Sequence, residues 1–461
     1  MIPTSANPIL EEAAPLAEIF RAAGFRLYLV GGIVRDMLLG RLTHRVDLDF
    51  TTDAEPSQIK ALLAPWATSL WTQGERFGTI GATRGGRTYE ITTHRGERYE
   101  AEDRHPEVQF STSLEEDLIR RDFTVNALAI EVTAAHPTLI DPFGGSEDLA
   151  ALVLRTPGTA QDSFSDDPLR MLRAARFIAG YQLVPTTELT QAAEQLAQRL
   201  EIVSVERIRE EFDKLMVTQD PSAGLWFLHD TGLAQFFFPE LSALRVEQDP
   251  IHQHKDVLTH TIAVVAKTQP NLVLRLAAMY HDVGKPKTRA VGDSGVSFHH
   301  HEVVGARMTR QRMKALRYSN DMVERVSQLV FLHLRFHTYS MGWTDSAVRR
   351  FVRDAGDQLE ELIELTRCDC TTRNRRKAEI LSKRMDDLEE RIATLAAQEE
   401  LAAIRPDLDG REVAEHLGIQ PSREVGDALR HLLELRLDRG PMAKEDALKE
   451  LDLWWAERQQ G

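Results

Sequence analysis

The chain has 461 residues, 42% of them hydrophobic and 28% charged, with a formal net charge of −15. Such a composition excludes disordered and fibrous classes, and the length leaves room for about three domains. The acidic balance argues against a surface coated in basic residues for nucleic acid, although not against a local basic stripe. No apolar run approaches the roughly 20 residues of a membrane span, so no membrane partner is expected. The opening MIPTSANPILEEAAP lacks the basic-then-apolar layout of a secretory signal. Cys368 and Cys370 cannot build a disulfide framework, and a cytoplasmic location is expected.

The first part of the chain mixes strand and helix signals. Phe25–Val30 reads as a short strand, Gly31-Gly32 as a turn, and Ile33–Leu39 as a helix stopped by Gly40. Val46–Phe50 alternates apolar and acidic residues, as a half-buried strand does. Thr79–Thr83 and Thr88–Thr93 read as a hairpin around Gly85-Gly86, followed by a polar loop over His94–Glu107. Ser113 with Glu116 spells a capping box. Turn chemistry gathers at Asp141–Gly145. After about residue 160 strand signals largely disappear, and helical periodicity dominates, as in Leu169–Ile178 and Val205–Met216. Between Val303 and Arg353, basic residues (Arg307, Arg310, Arg312, Lys314, Arg317, Arg325, Arg335, Arg349, Arg350, Arg353) far outnumber the acids Asp321, Glu324 and Asp345. That excess is either an RNA-facing stripe or a solvated helix face.

Four groups of residues carry candidate chemistry in the first half. Asp47 and Asp49 alternate onto one face of a strand, and two neighbouring carboxylates repel unless a cation such as Mg²⁺ lies between them. Gly31 and Gly32 stand between strand and helix, where backbone amides approach phosphate closely, and Arg35 lies one turn further on. Arg120, Arg121, Asp122 and Asn126 border an apolar helix face. Asp167, Arg170, Arg173 and Arg176 recur every three residues in DDPLRMLRAARF. Asp167 precedes Pro168, so a plain N-cap competes with any catalytic role there.

In order along residues 25–216, LVGGIVRDMLLG with DLDF, ERFGTIGA, RRDFTVNALA, DPFGG, DDPLRMLRAARF and RIREEFDKLM resemble the bacterial-type (class II) tRNA nucleotidyltransferase and poly(A) polymerase family. The resemblance implies an α+β chain: a polymerase-β-like nucleotidyltransferase head over 1–155, a helical neck over 156–248, then an elongated all-α remainder. It implies that Asp47 and Asp49 hold catalytic Mg²⁺, and that Gly32, Arg35 and Arg121 contact CTP or ATP. Asp122 would favour ribose, Asp167 and Arg170 would read the incoming base, and Arg173 and Arg176 would adjoin them. The position before Asp167 is often glutamate in this motif, and here it is Asp166. A carboxylate beside a guanidinium matches the amino donor and acceptors of cytosine and adenine, and leaves charges unpaired against uracil and guanine. Glu90 is a candidate third acid.

Downstream, His260, His281-Asp282 and Asp369 form a second constellation, with further histidines at His254, His299, His300, His301 and His333. The sequences HDVGK, FHHHEVVG and TRCDC resemble the HD-superfamily phosphohydrolases. That resemblance implies an HD domain over 249–385, a divalent transition metal on His260, His281, Asp282 and Asp369, and a helical tail over 386–461. The two thiols flanking Asp369 read as small buried hydrophobes rather than ligands. Addition of CCA to tRNA from CTP and ATP is the expected activity. Poly(A) synthesis, CC-only or A-only addition, an HD hydrolase with a vestigial head, and a non-catalytic tRNA-binding protein are the alternatives. The full-length loop after Thr93 favours CCA addition, and the absence of a basic tail disfavours poly(A) synthesis.

Overall fold

The apolar run Leu27–Val30 is buried at every position and forms a central strand, β1. It follows α1 (Asn7–Ala22), whose buried face is Ile9, Ala13, Leu16, Ala17 and Phe20, the spacing of a helix laid on a sheet. The computed structural model describes residues 2–42, 47–96, 109–246, 256–292, 295–338, 343–370, 375–399, 401 and 404–460. The chain divides into two units, Met1–Phe237 and Phe238–Gly461.

In the first unit, α2 (Gly32–Leu38), β2 (Leu48–Thr52), α3 (Pro56–Leu63), β3 (Ser69–Trp71), β4 (Thr79–Arg84) and β5 (Arg87–Thr93) follow β1. Then come β6 (Arg95–Gly96), β7 (Gln109–Phe110), α4 (Leu114–Ile119), β8 (Ala129–Glu131) and β9 (Leu139–Ile140). Seven strands make one sheet in the order β3-β4-β5-β2-β1-β8-β9. The β2–β5 pair is parallel, and its register sets Asp49 beside Glu90. Leu48, Phe50, Tyr89 and Ile91 enter the core with Leu16, Phe20, Ile33 and Ile59 of the covering helices. Alternation therefore sends Asp49, Glu90 and Thr92 to the opposite face. The β4–β5 hairpin is as expected: Arg84 pairs with Arg87, and Gly85 and Gly86 between them both have positive φ, at 59° and 78°. That combination is the two-residue turn glycine favours.

Asp141 organises the next turn by accepting from the Gly145 and Ser146 amides at 2.6 and 2.9 Å. The helices α5 (Gly145–Ala151), α6 (Ala160–Asp166), α7 (Leu169–Tyr181), α8 (Thr187–Leu196), α9 (Val205–Met216) and α10 (Ser222–Asp230) complete the unit. A two-residue parallel pair, Val153–Leu154 with Val184–Pro185, is a further addition that the periodicity misses. The capping box is half formed. Ser113 accepts from the Glu116 amide at 3.4 Å, but the Glu116 carboxylate takes the Ser111 hydroxyl instead of reaching back. Most of the polar loop after His94 lies outside the described residues.

The second unit is almost all helix: α11 (Pro239–Ala243), α12 (Val257–Lys267), α13 (Leu272–Tyr280), α14 (Lys285–Thr288), α15 (His301–Ala315), α16 (Asn320–Leu332) and α17 (Arg335–Thr338). It continues with α18 (Asp345–Ala355), α19 (Leu359–Asp369), α20 (Arg375–Gln398), α21 (Gly410–Leu417), α22 (Arg423–Arg439) and α23 (Lys444–Gln460). Leu408, Val413, Ala428, Leu432 and Leu451 form a separate core for the last three helices. The basic stripe is largely neutralised by acids distant in sequence. Arg310 meets Glu324, Arg312 meets Glu240, Arg325 meets Glu361, and Arg335 meets Asp354. Arg349 meets Glu399, while Arg350 and Arg353 share Glu434. Ion pairs within the protein therefore engage most of that excess. No helix among the described residues is long and apolar enough to cross a membrane.

Candidate active site and metal cluster

In the first unit Asp47 lies just before β2 and Asp49 on it, both exposed, with Glu90 adjacent on β5. Protein surrounding Asp49 strips part of its hydration, and the like charges of Glu90 and Asp47 add to this. Together they push its pKa up to about 6 against the pull of Arg121. A set of hard, like-charged oxygens at a strand end fits a divalent cation such as Mg²⁺.

Arg121 closes over the glycine turn. Gly31 has φ of 76°, and a Cβ there would sit 2.9 Å from the Arg121 guanidinium, so any side chain would both strain the backbone and displace that group. Arg121 bonds Asp117 at 3.2 Å, and its Nε is buried without a hydrogen-bond partner. It also lines a pocket of about 270 Å³ with Thr92, Arg95, Asp117, Arg120 and Arg170. Four guanidinium groups against one carboxylate make a strongly cationic cavity, suited to phosphate oxygens. Arg95 was not foreseen as a site residue. Its place depends on β6 pairing with β7 across the long loop, and no local pattern reveals that.

The other candidates are held more tightly. Arg35 is buried, donates to Asn126 Oδ1 at 2.6 Å and to the Tyr181 hydroxyl at 2.5 Å, and lies 4.2 Å over the Tyr181 ring. It thereby ties α2 to α7. A Cβ at Gly32 would meet the Arg35 Nη2 at 3.4 Å. Asp122 is buried and accepts from Asn126 at 2.8 Å and from Arg173 Nε at 2.8 Å. Burial opposes its charge, but Arg173 and Asn126 hold its pKa below the usual carboxylate range. Arg176 pairs with the buried Glu211 of α9. Asp167 is an extended residue between α6 and α7. Its Oδ1 accepts from the Leu169 amide at 3.1 Å, so it does cap α7, from one position further out than expected. Its Oδ2 meets Arg207 of α9 at 3.2 Å. Arg170 instead donates to Ser163 Oγ at 2.9 Å and to the Arg120 carbonyl at 2.5 Å.

The second unit gathers its ligand types at helix ends: His260 in α12, His281 and Asp282 after α13, His301 opening α15, His333 after α16, and Asp369 closing α19. Two groups form, His260–His281–Asp369 and Asp282–His301–His333. They adjoin through Asp282, whose Oδ2 is 3.2 Å from His281 Nε2 and whose Oδ1 is 3.4 Å from His301 Nε2. His301 and His333, extra histidines in the sequence, thus stand in the same cluster as the four residues expected there. The Nδ1 atoms of His281, His301 and His333 lie 2.7, 2.8 and 2.6 Å from the carbonyls of Ala278, Phe298 and Val330. A carbonyl accepts only from N–H, so each Nδ1 is the donor and each Nε2 is aimed at the cluster, the arrangement a metal requires. Burial lowers the His281 pKa, but Asp282 and Asp369 outweigh it and bring it up to about 10, whereas burial drives His333 down to about 3. Mixed imidazole and carboxylate donors in a buried cluster fit divalent transition metals. Gly284 lets this loop touch α15: a Cβ there would lie 2.2 Å from the His301 carbonyl. Cys368 and Cys370 are unpaired half-buried thiols, and burial pushes Cys368 up to about 11, which disfavours a thiolate ligand.

Paired carboxylates on a mixed sheet, a cationic pocket beside them and a His/Asp cluster downstream define a nucleotidyltransferase carrying an HD domain. Family models agree: residues 27–155 match the poly A polymerase head domain, 184–244 the probable RNA and SrmB-binding site of polymerase A, and 257–397 the HD domain. An A-adding tRNA nucleotidyltransferase of Deinococcus radiodurans is 34% identical over 421 residues, 88% of this chain and 91% of that protein. The chain belongs to the tRNA nucleotidyltransferase family. A CCA-adding enzyme of Geobacillus stearothermophilus is 40% identical, but over 49% of this chain and 54% of its own length. In fold, the chain resembles the Bacillus stearothermophilus CCA-adding enzyme in complex with CTP, with a TM-score of 0.72 at 24% identity, covering 98% of this chain and 99% of the other.

Proposed function

We propose that the first unit adds CCA to tRNA 3′ ends from CTP and ATP, and that the second unit carries a metal-dependent phosphohydrolase. The observation that carries the first reading is the joint presence of the Asp47–Asp49–Glu90 acids and the arginine-lined pocket beside them. Asp47 and Asp49 would hold Mg²⁺, with Glu90 beside them. Bound there, the ions supply acidification of the RNA 3′-hydroxyl and neutralisation of charge on the departing pyrophosphate. Arg121, braced by Asp117, binds triphosphate oxygens, and the Gly31-Gly32 turn lets the phosphates approach the backbone. Asp122, fixed by Asn126 and Arg173, orients the ribose. Asp167 and Arg170 read the base, and Arg173 and Arg176 brace that helix against Asp122 and Glu211.

In this reading 1–155 is the head, 156–248 the neck, 249–385 the HD domain and 386–461 the tail, acting in the cytoplasm on the tRNA top half by shape. His260, His281, Asp282 and Asp369 would hold a transition metal, joined by His301 and His333. A second reading, addition of the terminal A alone, is favoured by the relative aligned along most of the chain, an A-adding enzyme. One assay separates them: end-sequencing of tRNAs lacking CCA, ending in CC and ending in CCA, given Mg²⁺ and all four nucleotides. Growth of the first to CCA and none of the third supports CCA addition. Growth of the second alone selects A addition, and a long A tail selects poly(A) synthesis.

A further inference from the structure

Two phenylalanines stand in the open beside the arginine-lined pocket. Phe77 closes the helical turn before β4, and Phe110 lies on β7. They are 46% and 44% exposed, although phenylalanine is ordinarily covered. Strand pairing fixes where Phe110 points. Arg95 on β6 and Phe110 on β7 are directly opposed in an antiparallel pair, so their side chains share one face. Arg95 lines the pocket, and its Nη2 donates to Thr79 Oγ1 at 3.0 Å. Thr79 Oγ1 in turn shares a 2.9 Å hydrogen bond with Thr92 Oγ1, another pocket residue. The Phe110 ring rests on Gly78, between Phe77 and Thr79: a Cβ there would lie 2.8 Å from the ring. The Arg76 guanidinium lies over the Phe77 ring, 4.5 Å from its centre. Cations and exposed rings therefore stand side by side along this edge of the pocket.

Thr92 follows Glu90 by two residues on β5 and faces the same way, about 7 Å further along the strand. A phosphate in the pocket would thus stand roughly one nucleotide step from the Asp49–Glu90 acids. A nucleoside triphosphate brings a single base, for which Asp167 and Arg170 are already proposed as readers. A single strand brings a phosphate and a base at every step, and a guanidinium beside an exposed ring matches that repeat. We propose that Arg95 and Phe110 hold the single-stranded 3′ end of the RNA, Arg95 on a backbone phosphate and Phe110 stacked on a base, with Phe77 offering a second ring. The proposal rests on the first unit adding nucleotides to RNA. Every base has a face to stack, so such a contact serves the growing end whatever nucleotide it carries.

The test measures the Kd of wild type, Phe110→Ala, Phe110→Leu, Phe110→Tyr and Arg95→Ala for two RNAs. One is a tRNA ending in CC, and the other is the same tRNA trimmed back to the last base pair of its acceptor stem. The KM for ATP is measured alongside, at saturating tRNA ending in CC. Phe110→Ala should lose about tenfold in affinity for the first RNA, the size of one lost base stack, and little for the trimmed one. Phe110→Leu, apolar but without a ring, should lose nearly as much, and Phe110→Tyr should bind as wild type. Arg95→Ala should weaken binding of the first RNA and make its salt dependence shallower by about one unit of log–log slope. Equal losses on both RNAs, or unchanged affinity in the alanine variants, would overturn the proposal. So would a raised KM for ATP in Arg95→Ala with RNA affinity intact, which would give the pocket to the triphosphate. A wild type that extends no tRNA end would overturn the nucleotide-addition reading instead, whereas normal extension by wild type with unaffected variants overturns this inference alone.

Discussion

The two acidic sites of this protein are built on opposite plans. Asp47 and Asp49 are exposed at the start of a strand, and the groups that would meet phosphate are arginines rather than further metal ligands. His281 and Asp282 are 0% and 1% exposed, and three histidines are locked by backbone carbonyls before any metal arrives. The first plan suits a cation shared with a substrate that brings its own phosphate ligands and then leaves. The second suits a resident ion, since the ligand geometry is fixed by helix ends.

The comparison breaks most sharply under Asp49→Ala. Nucleotide addition should fall by at least about 10³-fold, as expected for loss of a metal-holding carboxylate at a phosphoryl-transfer centre. Metal content at the HD cluster should stay as in wild type. Single-turnover addition and elemental analysis on the same preparation check both halves. Retained addition would show that the exposed acids are a solvated strand end.

His281→Ala is the reciprocal change. It should abolish tightly held metal and any phosphohydrolysis, while nucleotide addition stays within about twofold of wild type, a change too small to register as lost transition-state binding. It also removes the imidazole that pairs with Asp282 and Asp369, so the second unit should unfold more readily. A joint loss of addition would mean that the two sites are coupled.

How much of this contrast the sequence reveals depends on whether a residue's role is local. Asp47, Asp49 and the β4–β5 hairpin follow from alternation and from paired glycines, both nearest-neighbour properties. The four residues expected at the HD site follow from resemblance, and the structure brings all four side chains together. His301 and His333 could not be promoted from spare histidines, because what brings them to the cluster is helix packing, which sets the His301 Nε2 beside Asp282 and the His333 Nε2 beside His301. The same limit hides Arg95 and Arg207, whose partners lie across strand pairings or between helices. The counter-charges of the basic stripe, such as Glu240 and Glu434, are hidden for the same reason: they lie far away in sequence.

Within the first unit, Glu211→Ala measures what the helices behind the nucleotide site contribute. Glu211 is 3% exposed and pairs with Arg176, itself mostly covered. Removing one partner of such a pair leaves a charge without compensation, and a loss of about 3 kcal/mol is expected. Urea unfolding followed by a probe in the first unit gives the number. Glu211→Gln, keeping a hydrogen-bond acceptor, should lose less. Equal losses would mean that packing rather than charge holds α7 against α9.

The smallest effect sharpens the same point on one helix. Along α15, Arg312 lies in a mostly covered, two-point pair with Glu240, at 2.9 and 3.1 Å. Arg310 reaches Glu324 at 3.0 Å, but the two side chains are 42% and 62% exposed. Both pairs join residues from different helices, so chain entropy does not separate them; hydration does. Arg310→Ala should cost less than about 0.5 kcal/mol, and that little should vanish in high salt, because water solvates both partners in the unpaired state. Arg312→Ala should cost about 1–2 kcal/mol with weaker salt dependence, since Glu240 would stay partly covered without its partner. Equal costs in low and high salt would show that burial does not grade the pairs on this helix. The same gradient from open to covered charge separates the exposed acids of the head from the buried cluster of the HD unit.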